Sequence, residues 1–83
     1  MQWFRRWTDP QPYRPRRAYF RPRDPDALDP VLMPFVDRIV LVRFTRVARA
    51  GRPDAGERLY RIINRRTFAP RFVRPEREFD FLD

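Results

Sequence analysis

Histidine, cysteine, serine and lysine are all missing from this chain of 83 residues, and glycine occurs only twice. Each absence closes a route. Without His and Cys there is no imidazole base, no thiolate nucleophile, no disulfide and no ordinary zinc site. Without Ser and Lys the commonest hydroxyl nucleophile and the Schiff-base former are gone too. Eleven carboxylates remain, mostly in Pro-rich or terminal segments that would not hold a paired-carboxylate geometry. The reading is therefore a protein that is not an enzyme, with no cofactor, no metal and no small-molecule substrate. Apolar runs are equally scarce: Pro34, Asp37, Arg38 and Arg43 interrupt the longest, well short of the ~20 residues of a spanning helix, so no membrane partner is expected. Cysteine absence also suits a reducing compartment.

What the chain has in excess is arginine. All nineteen basic residues are Arg, against eleven acids, for a net charge of +8. Codon bias is one source of such a set, but the physical consequence is the same. Every cation is a planar fork suited to bidentate phosphate contacts and to stacking on bases. With 16% aromatics, the composition points to nucleic acid before membrane. At this length one small domain with a thin core is expected, part of its order coming from a partner surface.

Proline divides the chain. Seven of the ten prolines lie between Asp9 and Pro34, each fixing φ and biasing its predecessor to extended backbone. Residues 1–36 are thus expected as an extended arm and residues 37–83 as a small β-rich domain. Residues 1–23 carry a net +6 and residues 24–37 a net −4. Within the basic half, Arg14, Arg16 and Arg17 interleave with Tyr13, Tyr19 and Phe20, a pattern that puts Arg on phosphates and rings on bases. Trp3, Phe4 and Trp7 read as an anchor in a partner's apolar groove, with an organellar targeting signal as the alternative. Residues 30–36 form an apolar knot that Pro34 limits to a turn packed on the sheet.

Residues 38–47 are the most legible stretch, β-branched and aromatic without Gly or Pro. Period-2 alternation puts Val40, Val42 and Phe44 on an apolar face, and Ile39, Leu41, Arg43, Thr45 and Val47 on the other. Both glycines fall in residues 48–56, the clearest turn. Residues 58–68 then return as a second strand, with Tyr60 and Ile62 on one face and Leu59, Arg61, Ile63 and Arg65 on the other. A short edge strand is expected around residues 69–75, where proline is tolerated. Phe79 and Phe81 either fold back on the core or dock on a neighbouring protein. The fold class expected is α+β, predominantly β: a small antiparallel sheet built on a long-loop hairpin, with a Pro/Arg-rich arm.

This hairpin resembles the bacterial-type family of small-subunit ribosomal protein sixteen. Its motifs are Ile39-Val40-Leu41-Val42-Arg43, the basic turn, Tyr60-Arg61-Ile62-Ile63, then Arg71-Phe72-Val73 and an aromatic close ending at Asp83. Thr45 stands where that family has a glycine, the turn is longer, and the added arm resembles a mitochondrial form. Residues 42–47 and 64–69 are also similar to pieces of small-subunit ribosomal protein seventeen, an OB-fold rRNA binder; it ranks second, because the chain stops before the remaining barrel strands could be built.

Both resemblances imply a structural constituent of the ribosomal small subunit that binds rRNA, and the added arm of the first implies a mitochondrial one; the partners expected are rRNA and neighbouring ribosomal proteins. The expected phosphate contacts are Arg43, Arg46, Arg49, Arg52, Arg61, Arg65, Arg66 and Arg71, with Arg14, Arg16 and Arg17 along the arm. The rival class is an accessory subunit of a non-ribosomal organellar complex, such as a respiratory one, binding protein through its arm.

Overall fold

The computed structural model describes residues 14–63 and 70–82. Five short strands form one antiparallel sheet curled into a half-barrel: β1 (Arg16–Phe20), β2 (Ile39–Val47), β3 (Arg58–Ile62), β4 (Val73–Pro75) and β5 (Phe79–Phe81), in the order β4-β3-β2-β1-β5. The predominantly β fold expected from the sequence is what forms. Helical structure among the described residues is limited to short 3-10 turns.

The centre of the sheet is the expected hairpin. β2 alternates as its sequence dictates, with Val40 and Val42 buried and Ile39, Leu41 and Arg43 exposed. It pairs with β3 through Val42 opposite Ile62, Arg43 opposite Arg61 and Phe44 opposite Tyr60. Residues 64–69, where the second strand was expected to continue, lie outside the described residues.

The segment expected as an arm departs from expectation. Arg16–Phe20 is an inner strand, paired to β2 on one side and β5 on the other. Pro15 and Pro22 lie just outside it, so the prolines bracket a strand and leave its ladder donors intact. Residues 14–36 are therefore part of the packed fold, and the boundary drawn after residue 36 does not separate arm from sheet. After β1 the 3-10 turns Pro25–Ala27 and Pro30–Phe35 cover the sheet, burying Leu28 and Leu32. Asp29 caps the second turn, its Oδ1 accepting from the Val31 N–H at 3.0 Å, which satisfies a donor otherwise left open at the turn's start.

The core joins Ala18, Phe20, Leu28, Leu32, Val40, Val42, Tyr60, Ile62, Phe72 and Phe79. Its aromatic seam runs from Phe20 to Phe79 (ring centroids 5.5 Å apart) and from Tyr60 to Phe81 (5.0 Å). Phe79 and Phe81 thus fold back on the core. Glu78 is the one buried charged side chain among the described residues. Arg74 grips it with two hydrogen bonds, Nε to Oε1 at 2.6 Å and Nη2 to Oε2 at 2.9 Å. The hydrogen bond to Glu78 holds the Arg74 guanidinium above the ordinary arginine value, against the opposing effect of burial. This bidentate geometry is what makes a largely desolvated pair tolerable.

Candidate nucleic-acid interface

One face of the sheet packs against the 3-10 turns; the other carries arginine. Arg17 lies opposite Leu41, and Arg43 opposite Arg61. Directly opposed residues project to the same side, so Arg17, Arg43 and Arg61 share the outer face. They sit on three neighbouring strands, each about 4.8 Å from the next.

A bulge extends this face. The register shifts between Phe44 and Arg46, leaving Thr45 as the extra residue and pairing Arg46 with Leu59. Strict alternation would turn Arg46 to the core side with Phe44, and the sequence reading put Val47 on the Arg43 side. One added residue reverses both assignments beyond it. Arg46 joins Arg43 and Arg61, and Val47 turns away opposite Arg58. Leu59 shares the arginine face as expected, yet it is buried at 8% exposure.

The β2–β3 loop continues the basic surface. Residues 48 and 57 close it, with the Ala48 N–H donating to the Glu57 carbonyl at 2.8 Å and Gly56 N–H to the Ala48 carbonyl at 2.9 Å. Gly51 and Gly56 take φ of 85° and 81°, backbone that favours glycine. Arg77, on the 3-10 turn Glu76–Glu78 before β5, ties this loop to the body. Its Nη2 donates to Asp54 at 2.8 Å, its Nη1 to Glu57, and its backbone N–H to Glu57 Oε1 at 3.1 Å. The hydrogen bond to Asp54 heads the causes that raise the Arg77 guanidinium above its ordinary value. Held this way, Arg49 and Arg52 border an open cleft of about 580 Å³ together with Arg46, Ala48, Pro53, Asp54 and Leu59.

Acid pairing separates the arginines into two groups. Arg21 pairs with Asp80 at 2.6 Å and Asp37 at 3.7 Å, Arg71 with Asp29 at 3.6 Å, Arg74 with Glu78, and Arg77 with Asp54 and Glu57. Among the described residues, nine exposed arginines have no acidic partner within ion-pair distance: Arg14, Arg23, Arg38 and Arg58 at scattered positions, and Arg17, Arg43, Arg46, Arg49 and Arg52 together along the outer face and loop. Their charge is directed outward.

The expected site residues therefore divide. Arg17, Arg43, Arg46, Arg49, Arg52 and Arg61 come together along the outer face and loop. Arg16, opposite Val42, lies on the core side, its guanidinium 3.9 Å from the Phe81 ring centroid. Arg71 sits on the 3-10 turn Pro70–Phe72 beside Asp29 and does not join the face. Arg14 is exposed ahead of β1. Arg65 and Arg66 lie outside the described residues. Sequence reasoning missed Arg77, whose partners are 20 and 23 residues away, a separation that leaves no local signal. It also missed the exposed Ile39 and Leu41 as neighbours of Arg17 on the same face.

No protein family, curated protein or solved structure matches the chain.

Proposed function

We propose that this protein is a structural constituent of a ribosomal small subunit of mitochondrial type, binding and stabilising rRNA through arginine contacts to the phosphate backbone. The observation that carries the reading is the line of five exposed arginines without acidic partners, Arg17, Arg43 and Arg46 on the open sheet face and Arg49 and Arg52 on the loop. Uncompensated forks on a scaffold of strands match phosphate oxygens without reading bases, which is recognition of RNA shape and backbone. The resemblance of the hairpin to ribosomal protein sixteen supplies the ribosomal part of the proposal. Neighbouring ribosomal proteins are the second class of partner.

Five phosphate contacts predict that log K falls with log salt with a slope of roughly −4. Binding of the purified chain to rRNA fragments across a salt series measures it, and co-sedimentation with small subunits, with and without RNase, tests the assembly. A flat salt response, with co-purification in a membrane-bound respiratory assembly, would overturn the reading.

That outcome belongs to the rival, an accessory subunit of a non-ribosomal organellar complex. Ile39 and Leu41, 52% and 43% exposed beside Arg17, favour it to the extent that they offer apolar area to a protein. RNase-resistant association would select it.

A further inference from the structure

We propose that the loop cleft receives a single unstacked nucleotide of the bound RNA, so that the protein marks a bulged or looped position instead of gripping duplex backbone alone. The inference rests on the rRNA-binding reading and adds to it the class of RNA element recognised.

Three features of the cleft carry it. The first is shape: the cleft is concave and about 580 Å³, inside the range of small-ligand sites. A duplex presents its phosphates on a convex surface and cannot enter such a space. One nucleotide can.

The second is the lining. Arg46, Arg49 and Arg52 stand around the cleft with the exposed Pro53, over a floor to which the buried Ala48 and Leu59 add only a narrow apolar strip. The stacking surfaces are therefore the Pro53 ring and the guanidinium planes, which pack on unpaired bases as well as pairing with phosphate. Asp54 also borders the cleft, but Arg77 donates to it at 2.8 Å, so its charge is offset and the three arginines keep the cleft electropositive.

The third is construction. The Thr45 bulge turns Arg46 to this side, and Arg77 fixes the loop carrying Arg49 and Arg52 by way of Asp54 and Glu57. The cleft is thus assembled before any ligand arrives, which lowers the ordering cost of binding.

The test compares two RNA hairpins with the same stem, one fully paired and one carrying a single-nucleotide bulge, titrated with the full chain at one salt concentration. The bulged RNA is expected to bind about tenfold tighter, within the range that stacking of one base provides. Arg49→Ala/Arg52→Ala removes that preference, whereas Arg17→Ala/Arg43→Ala weakens both RNAs by the same factor. Adenosine 5′-monophosphate competes for the bulged RNA, and inorganic phosphate at equal concentration does not. Equal affinity of the wild-type chain for both hairpins overturns the inference while leaving backbone binding intact. Competition by a glutamate-rich peptide as effective as the nucleotide's also overturns it and assigns the cleft to acidic protein. No salt-sensitive binding to either hairpin overturns the rRNA reading and this inference with it.

Discussion

Arg43 and Arg61 stand directly opposite one another across β2 and β3. Like charges in this relation destabilise a sheet by several tenths of a kcal/mol, and Arg43 also stands among the exposed arginines of the outer face. Arg43→Thr keeps a good strand residue and removes one charge. The variant is expected to be about 0.5 kcal/mol more stable, or roughly 3 °C in Tm, while the salt slope of RNA binding falls in magnitude by about one. Thermal melts and a salt series check the pair of effects; lower stability with unchanged RNA affinity would contradict it.

Arg77 joins two segments of the chain that nothing in their local sequence connects. Its partners Asp54 and Glu57 are partly exposed, so Arg77→Ala should cost only about 0.5 kcal/mol of global stability. The loop itself should respond more. Amide exchange across residues 49–56 is expected to speed up several-fold, with the Ala48 to Glu57 closure protected longest.

Glu78 gives the opposite balance. At 4% exposure, with both carboxylate oxygens gripped by Arg74, its removal leaves a guanidinium facing the core without its anion. Glu78→Ala is expected to cost about 3 kcal/mol. Glu78→Gln, which retains an acceptor, should cost clearly less. Urea denaturation measures both, and equal losses would show that the charge itself contributes little.

Deleting Thr45 removes the extra residue of the bulge. Arg46 would then follow Phe44 directly and stay opposite Leu59 on the outer face, in a ladder without the bulge's added twist. RNA affinity should therefore fall clearly less than in Arg46→Ala. A deletion variant that loses as much affinity as Arg46→Ala would show that the twist of the bulge, and not the face alone, aims Arg46.

No side chain in the sequence titrates near neutrality, since histidine and cysteine are missing. Arg74 and Arg77 are both shifted upward. Their contribution to stability is fully present below the ordinary arginine value and is lost only as pH rises through the raised folded-state value. RNA affinity and Tm are therefore expected to stay level between about pH 6 and 9. A change of more than about twofold in affinity over that window would contradict the assignment of binding to arginine.

The hairpin was legible because β2 buries one face and exposes the other, which writes a period of two into residues 39–44. The return strand and the glycine-marked loop followed from the same pattern. β1 was not legible as a strand: its five residues include two adjacent arginines and sit between Pro15 and Pro22, so composition resembled an extended arm. β5 was equally hidden, three residues among acids whose burial depends on the Phe20 and Tyr60 rings. For the interface, Arg43 and Arg61 could be read from alternation. Arg46 reaches the same face through a register shift that residue types do not encode, and Arg16, which composition grouped with Arg17, lies on the other side because adjacent strand residues point oppositely. Arg71 carries the same side chain as the exposed five but is paired with Asp29 by tertiary packing.

Both margins of the sheet are three-residue strands, Val73–Pro75 and Phe79–Phe81, and the first ends in a proline that has no N–H to donate. Among the described residues neither margin offers a second chain a long row of open backbone donors and acceptors, so the broad surfaces left for contact are the outer face of the sheet and the β2–β3 loop.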